Sequence, residues 1–160
     1  MLSVTIIAAG KIKEKFFSAA VEEYSKRLSA YCRFEFVEVK DEKTPDNPTE
    51  RERETVLCRE GERIAAKIPK GAAVIALCVE GKQLSSERFS QLLSEYAVSG
   101  ISHVVFVIGG SLGLSEEIKA MARLRLSFSE MTFPHMLMRV ILSEQIYRAF
   151  TIAGGKTYHK

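Results

Sequence analysis

The run AAVIALCV, Ala72–Val79, holds eight apolar residues with no polar interruption. A strand of this kind has no face to give to water, so it belongs in a parallel sheet covered on both sides. The rest of the chain alternates strand and helix around it. Leu2–Ala8 reads as a buried strand, and Phe16, Phe17, Ala20, Val21, Tyr24 and Leu28 recur at helical spacing. RFEFVEV alternates with period two, and a charged helix follows the turn-rich loop KDEKTPDNP, starting at Pro48 or Thr49. Ser85 or Ser86 caps a third helix, Val104–Ile108 is the fourth strand, and Ser115 caps EEIKAMARL. A short strand near Leu126–Phe128 precedes a last helix from His135 to about Phe150. Five such units in 160 residues, with no linker or repeat, predict one α/β domain over 1–160. Its sheet is mostly parallel and flanked by helices, and its loop sites lie beyond the carboxyl ends of the strands.

A hydrophobic content of 46% and a charged content of 27% are those of a globular chain. The first apolar run has no basic residues before it and breaks after Ala9, so neither a leader peptide nor a membrane span is expected. Cys32, Cys58 and Cys78 are odd in number and far apart. They suggest neither a disulfide framework nor a zinc site, and they point to the cytoplasm. From Lys119 onward there are seven Lys or Arg against two Glu, whereas residues 1–70 carry fourteen basic groups against thirteen acidic ones. A positive field gathered at one end fits a polyanionic partner or a merely solvated surface.

VVFVIGGSLGLS, Val104–Ser115, is a strand running into a glycine turn and then a helix. A Walker A loop needs Lys and then Ser or Thr after its last glycine; here Leu114 and Ser115 follow Gly113. The first strand leads to AAGKIKEK, with one glycine where a dinucleotide fold needs GxGxxG. Gly109 and Gly110 can admit a ligand close to the backbone, or they can simply serve a turn of positive φ. SEMTFPH, Ser129–His135, repeats the layout of strand, polar loop and helix. With the end of IALCVEGK, three loops can converge on one apolar slot rich in main-chain donors. Such a slot suits an adenine-bearing ligand better than a triphosphate.

IALCVEGK, VIGGSLGLS, MTFPHMLMRVILSEQIYRA and the terminal YHK together resemble the SPOUT-class, α/β-knot methyltransferases. Within that class they resemble the large-subunit rRNA methyltransferase H family, which methylates N3 of a pseudouridine in 23S rRNA. The resemblance implies a C-terminal deep trefoil knot over about 72–160. It also implies S-adenosylmethionine bound against Leu77, Gly109, Gly110 and the segment Ser129, Glu130, Met131, Thr132, Phe133 and Pro134, with no metal. A homodimer with 23S rRNA of the ribosome as substrate is implied too, with no membrane and no DNA among the partners. The last helix agrees in part: Met136 to Phe150 is apolar nearly all round, so it is expected to be covered on several sides, by a partner subunit or as a core helix.

The implied reaction removes a proton from an imide nitrogen as it takes the methyl group, so a base or a cation favouring the anion is needed. On the resemblance, His159 is the first candidate and Tyr158 a stacking or hydrogen-bonding partner for the base. Arg139, Arg148, Lys156 and Lys160 are expected on phosphates. Glu144 is expected to pair with Arg148 on the helix, His135 to begin the last helix near the cofactor loop, and His103, before a strand, to be structural. Two alternatives stand beside this reading: a tRNA or ribose methyltransferase on the same fold, and a catalytically silent ribosome-binding factor.

Overall fold

A computed structural model describes residues 1–160. Its elements in chain order are β1 (Ser3–Ala9), α1 (Lys15–Leu28), β2 (Arg33–Val39), α2 (Glu50–Ala65), β3 (Ala73–Gln83) and α3 (Ser86–Val98). β4 (His103–Ile108), α4 (Glu116–Met121), β5 (Leu124–Ser127) and α5 (His135–Ala153) complete the chain. The five strands form one sheet in the order β2-β1-β4-β3-β5, and every pairing is parallel.

Register explains the apolar runs. Ile6, Phe106 and Ile75 stand opposite one another across β1, β4 and β3, and their side chains enter a core beneath α1, α3 and α5. One residue further on, Ile7, Val107 and Ala76 face the other way, toward α2 and α4. Both parities of each central strand are therefore buried, as a doubly covered sheet requires.

Local signals set most helix starts. Thr49 caps α2 in a capping box with Glu52, so of the two expected starts Thr49 is the cap. Ser85 accepts from the Arg88 amide and Ser115 from the Ile118 amide. α5 runs on to Ala153, beyond the expected Phe150, and stops at Gly154 and Gly155. α4 is shorter than expected because the Arg123 amide bonds the Val74 carbonyl, drawing the chain into the sheet. β5 accordingly opens at Leu124, two residues earlier than the sequence suggests. β3 also outruns the expected strand: its register on β5 shifts between Leu77 and Lys82, and both oppose Leu126.

α5 packs between α1 and α3, with Ser90 Oγ bonding the Ala149 carbonyl and Tyr31 stacking on Phe150. Its apolar circumference is thus covered on two sides by its own chain. No helix is long and apolar enough to cross a membrane.

Candidate active site

Three connections meet at the carboxyl edge of the sheet and enclose a cavity of 710 Å³. The first is the irregular half of β3 after Leu77, and the second runs from Gly109 to Leu114. The third runs from Ser127 to Pro134, between β5 and α5.

The glycine turn is shaped by its own backbone. Gly113 has φ +82° and its amide bonds the Gly110 carbonyl at 3.1 Å. A Cβ on Gly109 would collide with the Gly113 carbonyl, so that position must be glycine for the turn to close. A Cβ on Gly110 would lie 3.1 Å from both carboxylate oxygens of Glu60. Substituents there meet Glu60 beneath the loop, although the Gly110 backbone borders the cavity. Neither Gly109 nor Gly110 has positive φ, so the strain expected of them falls on Gly113 instead.

Of the residues expected around the ligand, Leu77, Gly109, Gly110, Ser129, Met131, Thr132, Phe133 and Pro134 line the cavity, and Glu130 does not. The Ser129–Pro134 loop is held by short local bonds, Ser127 Oγ to the Ser129 carbonyl and the Met131 amide to Ser129 Oγ, each 3.0 Å. The amides of Thr132 and Phe133 donate to no other main-chain group, so they are free for a ligand. The lining is otherwise chiefly apolar, with Leu77, Leu126, Phe128 and Met138 among its walls. This donor set fits a ligand with a flat apolar ring and hydrogen-bonding edges.

Sequence reasoning missed several wall residues. Glu14 and Phe17 reach the cavity from the start of α1, and Lys119 reaches it while bonding Glu80 at 2.6 Å. No local pattern marks them, because each reaches the wall from an element whose place depends on strand order.

The C-terminal tail folds back along α5 and makes a second polar cluster. Glu144 accepts from Arg148 at 2.6 Å and from the Tyr158 hydroxyl at 3.0 Å, so it does more than pair along the helix. Burial first, then the Glu144 carboxylate, pushes the Tyr158 phenol up to about 12. Arg148 Nη1 lies 3.0 Å from His159 Nδ1, and His159 Nε2 lies 2.8 Å from Glu87 Oε1. A guanidinium only donates, so Nδ1 must accept and Nε2 carries the hydrogen toward Glu87. Lys156 and Lys160 are exposed beside this cluster. Neither Tyr158 nor His159 lines the cavity of the same chain.

Arg139 corrects an expectation. Its side chain is fully buried, with Nη1 on the Gly10 carbonyl and Nη2 on the Ala9 carbonyl, each 2.7 Å, and Glu38 at 3.2 Å. It cannot meet a phosphate, because its charge is spent on the end of β1 and on Glu38. His135, which starts α5 at the cavity, has its pKa lowered by burial and then by Arg139.

A family model described as "Predicted SPOUT methyltransferase" matches residues 2–159. The proteins named Ribosomal RNA large subunit methyltransferase H in Leuconostoc mesenteroides subsp. mesenteroides and in Clostridium botulinum are each 52% identical over 159 residues. They cover 99% of this chain and 100% of the relatives. The protein of that name in Clostridium novyi is 51% identical over the same span. In fold, the chain is similar to the solved structure of "a probable methylase family protein" from Haemophilus influenzae Rd KW20. The TM-score there is 0.53 and the identity 12%, over 99% of this chain and 70% of that one. A match from Leu2 to His159, joined to relatives more than half identical along their whole length, settles the kinship: the chain belongs to the SPOUT methyltransferase family.

Proposed function

We propose that this protein transfers a methyl group from S-adenosylmethionine to N3 of a pseudouridine in 23S rRNA, working as a homodimer in the cytoplasm. The observation that carries the reading is the pairing of an apolar, amide-lined cavity at the sheet edge with a tail cluster that does not reach it within one chain. The slot of one protomer and the tail of its partner then make one site. Leu137, Val140 and Ile141, only half-buried on α5, support a subunit contact on that helix. The trefoil knot over about 72–160 belongs to the same proposal. In its favour, the chain passes from α4 on one face of the sheet through the edge strand β5 to α5 on the other.

Bound S-adenosylmethionine supplies an electrophilic methyl on a sulfonium that leaves as a neutral thioether. The free amides of Thr132 and Phe133 hold the adenine edge, while Leu77 and Phe133 exclude water from it. Gly109 and Gly113 close the turn that forms one wall of the slot. Methyl transfer forms the N3–C bond and breaks C–S, and the N3 proton must go to a base. His159 serves once Arg148 moves from Nδ1 to an RNA phosphate, which frees that lone pair. Tyr158, held neutral, is a donor or stacking surface rather than a base.

The test is transfer of labelled methyl groups to ribosomes from a strain lacking the protein, with mass-spectrometric mapping of the labelled base. Label on a pseudouridine N3 of 23S rRNA is the expected result. Label on tRNA or on a ribose hydroxyl overturns the target. Cofactor binding with no label anywhere overturns the reaction in favour of a silent ribosome-binding factor.

A further inference from the structure

We propose that the corner formed by the ends of β1 and β2 is a docking surface for rRNA phosphates at the mouth of the cavity, carried by Lys11, Lys13, Lys15 and Lys40. This inference rests on the rRNA reading above and extends it to a part of the chain far in sequence from the C-terminal basic groups. All four lysines are exposed, and none makes an ion pair within the chain. The acids around them are partly occupied. Glu38 is held by Arg139 and Glu42 by Arg63 and Arg59, which leaves Asp41 and Glu14 as exposed acids without an ion pair against the four lysines.

A net positive charge on a fixed surface is what a polyanion selects, and here two further observations fix it. The loop is anchored from below. Arg139 bonds the Gly10 carbonyl at 2.7 Å, Glu38 accepts from the Ile12 amide at 2.6 Å, and the Gly10 amide bonds the Val39 carbonyl next to Lys40. Four flexible side chains thus start from a backbone that pays little ordering entropy on binding. The loop is also continuous with the active cavity, because Glu14 and Phe17 line it. Phe16, 66% exposed and 4.4 Å from the Phe17 ring centroid, offers an aromatic face beside the lysines. An exposed aromatic among cations is the pairing that holds unpaired nucleotides, with phosphates on the charges and a base on the ring.

The experiment compares wild type with the K11Q/K13Q/K15Q/K40Q variant, and with the same four sites changed to Arg. It measures equilibrium binding to ribosomes from a strain lacking the protein across a salt series. Calorimetry with S-adenosylmethionine and thermal melting report on the slot and the fold. The Gln variant is expected to lose about tenfold or more in affinity at moderate salt, with a log–log salt slope shallower by about 3. Cofactor affinity and melting are expected to stay unchanged, and the Arg variant to bind as wild type does. Phe16→Ser is expected to weaken binding without altering the slope. Unchanged affinity and slope in a folded Gln variant overturn the proposal. Weakened affinity with an unchanged slope also overturns it, because the corner would then face a ribosomal protein. Methyl transfer by wild type is scored separately: its absence refutes the proposed reaction and leaves the binding comparison to judge the lysines.

Discussion

Arg139 and Arg148 stand near opposite ends of α5, and both are natural candidates for phosphate contacts. Arg139 is sealed inside the protein, its guanidinium spread over two strand-end carbonyls and Glu38. Arg148 is partly exposed and ties Glu144, Tyr158 and His159 into one cluster. The difference teaches that the same residue type on one helix takes opposite duties according to what the sheet places beneath it. At the cavity end α5 overhangs the carboxyl end of β1, whose carbonyls need donors. At the other end Ala149 and Phe150 pack on α3 and Tyr31 while the polar face meets the returning tail, so Arg148 and Glu144 stay partly exposed.

The largest expected effect tests the buried arginine. Arg139→Met should destabilise the protein by about 3–5 kcal/mol, because Glu38 and two carbonyls lose their partner. Arg148→Met should cost less than about 1 kcal/mol. Urea unfolding of both variants decides this, and similar losses would erase the distinction between the two ends.

Removal of Tyr158–Lys160 comes next. Methyl transfer should fall at least about 100-fold, the scale of losing a positioned base, while cofactor affinity by calorimetry stays within about twofold. Turnover close to wild type would break the claim that this end of α5 serves substrate.

Glu60 offers a control for how buried charge behaves without a clamp. It is 4% exposed, with Oε2 accepting from the Glu42 amide and Oε1 without a partner. Burial is the main cause of its raised pKa. Since the folded value lies above the unfolded one, the protonated form supports the fold at low pH and stability is lost as pH rises through the folded value. Glu60→Gln should then stabilise the protein by on the order of 1 kcal/mol at pH 8 and change little at pH 4. Equal effects at both pH values would contradict this.

The smallest effect is spectroscopic. Glu144→Gln removes a carboxylate beside the Tyr158 phenol, so its ionisation should begin below the present value of about 12. Some elevation should remain, because burial raises the value as well. An ultraviolet titration shows it, and an unchanged curve would separate the tail from Glu144. In wild type the docked phenol contributes stability below its ordinary value and loses it as pH rises through about 12.

Much of the architecture was legible because its causes are local. Continuous apolar runs marked β1, β3 and β4, and Ser85 and Ser115 marked helix starts by their capping oxygens. The slot was legible from three loops of one layout, at Leu77, Gly109 and Ser129, since parallel strands deliver their following loops to one edge. What escaped depended on partners distant in the chain. Nothing near Gly110 announces Glu60, and nothing in MTFPHMLMR reveals that its arginine ends on carbonyls at residues 9 and 10. Phe17 and Glu14 likewise gained a place in the wall only when β1 took its position next to β4.

The sequence by itself determined the alternation of strands and helices, the doubly buried sheet and the family, because periodicity, capping and contiguous motifs are properties of neighbouring residues. Tertiary structure alone decided which arginine is buried, which residues beyond the motifs wall the cavity, and that the tail stands clear of its own slot. Those outcomes depend on strand order, and strand order brings together groups as far apart as Gly10 and Arg139.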